Sequence, residues 1–359
     1  MKKKILAWGL AAMMALSMTA CGSGSADPTT APASAGPAGT AAAGTAAAGG
    51  DVQFTLKLSV SAPATGTQAD GYAKLAELVK ERTGGAVEVQ VYPGSQLADK
   101  VPSMEGLRDG SIEMTVAALT DIANFGDVWG TFSLPYLFED TDQLIQVLNS
   151  DEVGAFVEEK LAAIGMIPLM YMDIGSRSIL NSKHAVNTPA DMAGLKIRVM
   201  QDSTLAAAIN AMGGIATPMA WSETYTALQQ GTVDGLENSA PIITANMMNE
   251  VAKYYSLTEQ FIIADCLLIS KNTFDGMPSD LQAQVKEACK EAEKYWNTEL
   301  WPAAMESELQ AMKDSGVEIN DVDKAAFKES VTGMKEEWLA NASDDCKQLY
   351  DLLSAATAK

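Results

Sequence analysis

Histidine is almost missing from this chain: His184 is the only one among 359 residues. The usual nucleophile–base pairs of hydrolytic enzymes need an imidazole, so this shortage nearly excludes them. The sequence also lacks the G-x-S-x-G, P-loop, HExxH and G-x-G-x-x-G patterns. We therefore predict that the protein is not an enzyme and that it holds no cofactor.

Positive charge is scarce as well. The chain has 25 Lys and Arg residues against 46 Asp and Glu residues, a net charge of -21. Such a charge repels phosphate backbones and anionic lipid surfaces, which argues against nucleic acid as a partner. It does not argue against a small anionic ligand, because a pocket can be positive inside an acidic protein. With 47% hydrophobic and 20% charged residues, the composition is that of a folded globular chain.

The first 50 residues predict export and anchoring. Lysines at 2–4 precede an apolar stretch over 5–16, and Cys21 follows small residues, as in a bacterial lipoprotein signal peptide. We predict a signal peptide over 1–20, a lipid on the Cys21 sulfur and a flexible Gly/Ala/Ser/Thr/Pro tether over 21–50. An ordinary secretory signal is the alternative. The protein is thus expected outside the cytoplasm, held at the membrane by its lipid.

Cysteine is too sparse to indicate a metal site. Beyond Cys21 there are Cys266, Cys289 and Cys346, with no CxxC spacing, and one histidine cannot complete a zinc site. The odd number is compatible both with one disulfide and with three free thiols. No metal is predicted.

The region after residue 50 predicts an α/β fold. Alternating apolar residues over 54–60, 87–91 and 112–117 indicate strands, and helical spacing over 72–79 and about 99–108 places a helix between each pair. The same rhythm returns over 195–238, with Asp202 or Ser203 as a helix cap. Residues 107–113 and 228–234 echo each other, as expected of two lobes built alike. A long helix over 279–313 is predicted, kinked at Pro302.

Two arginines stand on the predicted strands. Arg177 lies in 175–181, and Arg198 lies opposite the apolar face formed by Leu195, Ile197 and Val199. Arg198 is near the carboxyl end of its strand, the edge where ligands bind in open α/β sheets. A guanidinium can hold a carboxylate by two parallel hydrogen bonds, although a surface ion pair is the plainer interpretation.

Four stretches carry a resemblance to a known family. They are 80–97 (KERTGG…VQVYPGSQL), 132–138 (FSLPYLF), 188–198 (TPADMAGLKIR) and 221–238 (WSETYTALQQGTVDGLEN). In this order they resemble the solute receptors of tripartite ATP-independent periplasmic (TRAP) transporters, the dicarboxylate-receptor (DctP) type. The sequence departs from the family pattern at 98–100 and at Leu236, which affects only the finer substrate assignment.

The resemblance implies a two-lobed periplasmic-binding-protein-like fold, with the ligand between the lobes and a long C-terminal connecting helix. Lobe I is expected over about 51–173 plus a later returning segment, and lobe II over about 174–262 plus part of the C-terminal region. By resemblance, Arg198 pairs with the substrate carboxylate, Arg177 binds the carboxylate or an adjacent hydroxyl, and Asn238 closes the polar ring.

Four further residues are weaker candidates. Gln68 follows the first strand, where the N-terminal lobe should meet the ligand. Trp221 and Tyr225 are expected either to line the pocket or to pack in the core. Glu237 is expected either to accept a sugar hydroxyl or to neutralise an arginine.

The number of polar partners favours a monocarboxylate sugar acid such as a hexuronate, delivered by a monomeric receptor to TRAP permease subunits. A C4-dicarboxylate or another small carboxylate is the alternative ligand. A ligand-sensing or adhesion ectodomain, a receptor of an ATP-driven importer and an extracytoplasmic hydrolase are alternative functions.

Overall fold

The computed structural model describes residues 51–358. The predicted signal peptide, the Cys21 lipidation site and the tether lie outside these residues. The strands are β1 Phe54–Ser59, β2 Val87–Tyr92, β3 Met114–Ala118, β4 Met166–Asn181, β5 Lys196–Val199, β6 Ile215–Pro218, β7 Gly235–Asn238, β8 Tyr254–Ser270 and β9 Glu318–Asn320. The helices are α1 Thr67–Arg82, α2 Lys100–Asp109, α3 Thr141–Leu148, α4 Asp151–Ala163, α5 Ser203–Ala211, α6 Trp221–Gln229, α7 Ala240–Ala245, α8 Met248–Val251, α9 Lys271–Asp275, α10 Ser279–Tyr295, α11 Trp301–Asp314, α12 Lys324–Ser330, α13 Thr332–Asn341 and α14 Asp344–Thr357.

The strands form one sheet in the order β2-β1-β3-β8-β4-β7-β5-β6, with β9 added to β8. Strands β2, β1 and β3 run parallel to one another, and so do β6, β5 and β7. The predicted strand–helix alternation is thus confirmed in both halves. In the first half, β1 lies in the middle and β3 lies next to the centre of the sheet. In the second half, β5 lies in the middle and β7 lies next to the centre.

The sequence echo marks equivalent positions in these two halves. Gly110 follows α2 with φ 80°, and Gly231 follows α6 with φ 72°. Both glycines hold the left-handed conformation that lets the chain leave a helix and enter the next strand. Asp202, rather than Ser203, caps α5, since its side chain accepts from the backbone N–H groups of Thr204 and Leu205.

Two long strands, β4 and β8, pass from one half to the other. They are antiparallel partners from Met166↔Ser270 to Asn181↔Tyr254, with irregular pairing at three places along β4. Their 166–173 and 263–270 ends contribute mainly to the core clusters of the N-terminal half, and their other ends to those of the C-terminal half. We call these halves the N-terminal and C-terminal lobes. The exact boundaries stay a prediction.

The predicted long C-terminal helix is broken before the predicted kink. A π-helical turn, Trp296–Leu300, joins α10 to α11. The backbone N–H of Trp301 bonds to the carbonyl of Trp296, five residues back, and Pro302 then occupies the first turn of α11. A proline is tolerated there because the first turn of a helix needs no intrahelical N–H from it. Helix α10 packs in the N-terminal lobe, while Met312 of α11 packs in the C-terminal lobe.

Cys266, Cys289 and Cys346 are buried and free, so of the two open possibilities the structure has three thiols. Across 51–358, none of the helices combines the length and the apolar character that crossing a membrane requires.

Candidate functional site

A cavity of about 490 Å³ lies between the two lobes. One wall is formed by the ends of the C-terminal-lobe strands and the start of α6. The other is formed by the starts of α1 and α2 and by strand β8. Five of the seven predicted ligand-binding residues line it: Gln68, Arg177, Arg198, Trp221 and Asn238. The other two, Tyr225 and Glu237, do not.

Neighbouring strands bring the two arginines and the asparagine together. Strand β7 lies between β4 and β5, with Asn238 opposite Ser178 of β4 and Leu236 opposite Arg198 of β5. Residues near the carboxyl ends of β5 and β7 therefore meet at one edge of the sheet. This is the edge where α/β sheets bind ligands.

Arg198 carries a buried charge without an acid partner. Its side chain is 3% exposed, and Nε and Nη2 both donate to the carbonyl of Met219, at 3.0 and 2.7 Å. Its guanidinium lies 5.3 Å from the centre of the Trp221 ring. No carboxylate within the described chain forms a salt bridge with it. Burial lowers the pKa of Arg198 to about 10, against the opposing effect of Glu237 and other acids. It is still charged at neutral pH, so an anion is the group it lacks.

Arg177 is equally buried but already paired. Nε and Nη2 donate to the two carboxylate oxygens of Glu237, and the Nη2–Oε1 distance is 3.0 Å. Nη2 also donates to the Glu237 carbonyl, and Nη1 donates to Asn238 Oδ1 at 3.0 Å. Burial disfavours its charge, but the attraction of Glu237 outweighs burial and raises the pKa. Arg177 thus brings to the cavity one unused Nη1 donor rather than a free charge.

Strand geometry explains why Asn238 lines the cavity and Glu237 does not. Successive side chains of a strand point to opposite faces, so neighbours cannot both project into one pocket. Glu237 is fully buried against Arg177, in agreement with the second of its two sequence interpretations. Tyr225 packs at the edge of the C-terminal core with Leu228. Trp221 both lines the cavity and contacts that core.

The N-terminal-lobe wall holds charged residues that sequence reasoning missed. Asp99, Lys100, Asp121 and Asp265 all line the cavity. Lys100 Nζ lies 2.9 Å from Asp121 Oδ2, and that oxygen also accepts from the backbone N–H of Ala118. Asp265 is 5% exposed. A signal for Asp265 is present in the sequence, since it is the one acid in the apolar run 261–270, and buried carboxylates need a partner.

The two lobes also touch across the mouth of the cavity. Asp99 caps the start of α2, and its other carboxylate oxygen accepts a hydrogen bond from Ser222 in the first turn of α6. Nearby, Asn124 of the N-terminal lobe donates to the carbonyl of Gln201 at 3.2 Å. These two contacts join the lobes beside the cavity.

In the part of the chain that the structure covers, no group of three or more His, Cys, Asp or Glu side chains is arranged to hold a metal ion. The cavity therefore offers charge and hydrogen bonds to a ligand. It combines an unneutralised cation on one wall with carboxylates on the other.

Comparison with known proteins agrees with this geometry. The DctP family model, described as bacterial extracellular solute-binding protein, family 7, matches residues 58–341. The chain is 34% identical to the C4-dicarboxylate-binding periplasmic protein DctP of Rhodobacter capsulatus, over 77% of this chain and 84% of that protein.

Two crystal structures of TRAP periplasmic solute binding proteins are similar throughout the folded region. The protein from Roseobacter denitrificans, with bound β-D-glucuronate, is 31% identical with a TM-score of 0.80, covering 84% of this chain and 99% of its own. The protein from Sulfitobacter sp. NAS-14.1, with bound β-D-galacturonate, is 33% identical with a TM-score of 0.79, covering 85% and 100%. The family resemblance and the two-lobed α/β fold predicted from the sequence are confirmed.

Proposed function

Because this chain belongs to bacterial extracellular solute-binding protein family 7, the organic-acid receptors of TRAP transporters, we propose that it captures a hexuronate such as glucuronate or galacturonate and delivers it to a TRAP permease. The single observation that carries this proposal is Arg198, a buried guanidinium without an acid partner that faces the cavity. A ligand carboxylate supplies the missing charge.

The carboxylate end of the ligand lies between Arg198 and Asn238. The free Nη1 donor of Arg177 adds one hydrogen bond there, and Glu237 holds Arg177 in position from behind. Trp221 stacks on Arg198 and limits its movement. Closure of the lobes removes water from the ion pair, which strengthens it.

The sugar part of the ligand faces the polar N-terminal-lobe wall. Gln68, Gln201 and Asn246 also line the cavity and can exchange hydrogen bonds with hydroxyl groups. A C4-dicarboxylate or another small carboxylate remains the second candidate, because the relative from Rhodobacter capsulatus is named for C4-dicarboxylate binding. The two structural relatives with bound hexuronates favour the sugar acid.

The wider role follows from the family and from the N-terminal sequence. Family members are extracytoplasmic receptors, and we propose that this one is a monomer anchored by a lipid on Cys21. It captures and delivers its ligand without turnover. Genes for TRAP permease subunits beside this gene would support transport, whereas a neighbouring sensor kinase gene would favour a ligand-sensing ectodomain.

The proposal is tested by thermal unfolding of the purified protein with hexuronates, aldonates, C4-dicarboxylates and 2-oxo acids. A ligand at a hundredfold excess over its dissociation constant adds about 2.7 kcal/mol to the stability of the folded state, which raises the melting temperature by several degrees. A shift with hexuronates supports the proposal, and a shift with C4-dicarboxylates alone supports the second candidate. No shift with any acid contradicts both, once mass spectrometry of the denatured protein has shown that no ligand was carried through purification.

A further inference from the structure

Asp265 is a buried carboxylate, and one of its two oxygens has no hydrogen-bond partner. It lies on β8, opposite Ala118 of β3 and Met172 of β4, and is 5% exposed. Its Oδ1 is fully buried and meets no hydrogen-bond donor among residues 51–358. The residue lines the cavity between the lobes. A carboxylate buried without donors is costly, so a ligand hydroxyl that meets its small exposed edge in the cavity would stabilise it.

The nearest cation does not remove this need. Lys100 donates to Asp121, at 2.9 Å, rather than to Asp265. Asp99, Asp121 and Asp265 thus line this wall together with a single lysine, which leaves it with an excess of negative charge. Burial raises the pKa of Asp265, although Lys100 and Arg177 favour its charged form. The opposite end of the cavity is positive because Arg198 has no acid partner.

Asp265 and Arg198 line the same cavity from opposite walls. The two walls are close enough for their charges to interact, since Arg177 favours the charged form of Asp265 and Asp121 favours that of Arg198. A ligand whose carboxylate meets Arg198 can therefore contact Asp265 with its far end.

We propose that Asp265 selects the class of acid that this receptor accepts: its carboxylate takes a hydrogen bond from a hydroxyl at the far end of the ligand, and its charge rejects a second carboxylate there. The inference rests on the proposed function and refines it. A hydroxyl supplies a donor for this carboxylate. A second carboxylate supplies none and adds like charge in a water-poor site, so the rejection arises from repulsion as well as from a lost hydrogen bond.

The sharpest test uses two ligands that differ only at that end. Galactonate ends in a CH₂OH group, and galactarate has a carboxylate in the same place. Dissociation constants of both are measured by calorimetry for the wild-type protein, for Asp265→Asn and for Glu223→Gln. Glu223 is an exposed acid at the rim of the same cavity, so its variant controls for the loss of one negative charge.

Wild-type protein is expected to prefer galactonate by at least about 30-fold, and Asp265→Asn is expected to reduce that preference at least about tenfold. The preference of Glu223→Gln should stay within about threefold of wild type. Equal binding of both acids by the wild-type protein overturns the proposal, and so does an unchanged preference in Asp265→Asn. Tighter binding of 6-aminohexanoate than of galactonate also overturns it, because the partner of Asp265 would then be an ammonium group.

The two proposals can fail separately. If the wild-type protein binds no organic acid, the proposed function fails. If it binds glucuronate but the galactonate preference does not depend on Asp265, only the present inference fails. If Asp265→Asn does not fold, the wild-type protein still provides a test. Equal affinities of the wild-type protein for galactonate and galactarate would contradict the proposal.

Discussion

Asp99 and Ser222 are hydrogen-bonded across the mouth of the cavity, one from each lobe. The Ser222 hydroxyl donates to Asp99 Oδ2 at 2.6 Å, and the Ser222 backbone N–H points to the same oxygen at 3.3 Å. Burial disfavours the charged form of Asp99, but these hydrogen bonds and the one from the Lys100 backbone outweigh burial and lower its pKa. We expect a ligand enclosed in the cavity to leave more easily once this contact has broken.

We therefore expect Ser222→Ala to release ligand faster. A hydrogen bond to a charged group is worth about 1.5–3 kcal/mol, and this one is partly exposed, so the dissociation rate should rise about tenfold while the association rate changes little. Stopped-flow fluorescence with a bound hexuronate measures both rates. Ser330→Ala is a suitable control, because the Ser330 hydroxyl bonds only within its own helix, to the Phe327 carbonyl. An unchanged dissociation rate in Ser222→Ala would show that the contact does not hold the lobes closed.

Removing Arg198 should abolish tight binding and spare the fold. The Arg198→Ala variant loses the unneutralised charge that a ligand carboxylate would meet, which should weaken binding by about 2–5 kcal/mol, at least about 30-fold. Its melting temperature should not fall substantially, because no acid partner is left unpaired. Calorimetry and thermal unfolding of the same sample measure both effects, and tight binding by the folded variant would remove Arg198 from the site.

Removing Arg177 should instead destabilise the protein. Arg177→Gln leaves the Glu237 carboxylate buried without its partner, and breaking such a pair costs about 3–5 kcal/mol of the free energy of unfolding. The double variant Arg177→Gln/Glu237→Gln should recover most of that loss, because it removes both charges. Urea unfolding of the two single variants and the double variant gives the coupling between the residues. If the losses in the free energy of unfolding of the two single variants add up to that of the double variant, Glu237 and Arg177 do not stabilise each other.

The stability of the ligand-free protein should depend on Asp265 and on pH. Burial raises the pKa of Asp265, partly offset by Lys100, with Asp121 raising it further and Arg177 opposing. The folded protein thus keeps a proton over a pH range in which the unfolded chain, with an ordinary aspartate pKa of about 3.9, has lost it. The stabilising contribution of this group is present at low pH and is lost as pH rises through the raised folded pKa.

Asp265→Asn cannot ionise, so it should be more stable than wild type at about pH 7 and should lose this advantage as pH falls toward about 4. Each unit of difference between the folded and unfolded pKa corresponds to about 1.4 kcal/mol. Urea unfolding of both proteins across this range tests the sign. An advantage that stays constant with pH would show that ionisation of Asp265 is not its origin.

Periodicity was sufficient to predict β1, β2, β3, β5 and β7 with their helices α1, α2, α5 and α6, and the face on which Arg198 lies, but it did not predict β6. Leu195, Ile197 and Val199 do pack in the core while Arg198 faces the cavity, because alternation along a strand is a local property. That Glu237 neutralises an arginine was predicted only as one of two alternatives, and its partner was not predicted, since that depends on the register between β4 and β7.

The negative end of the cavity was not predictable in the same way. Asp121, Lys100 and Asp265 come from three separate parts of the chain, and only the position of β8 beside β3 brings them together. The π-helical turn before Pro302 was not predicted for a related reason. Proline is visible in the sequence, whereas the π-helical turn that precedes Pro302 depends on how Trp296 and Trp301 pack; their rings are stacked 5.6 Å apart.

Helix α14, at the C-terminal end of the described chain, belongs to the core of the N-terminal lobe. Its Cys346, Leu349 and Leu353 complete the same core cluster as Met104 and Leu119 of the N-terminal lobe. The lobe whose strands are synthesised first is therefore finished last, after the ribosome has made nearly the whole chain. Contacts so distant in sequence form more slowly than local ones. A chain truncated at Ala342 would expose an apolar surface and become a substrate for quality-control proteases.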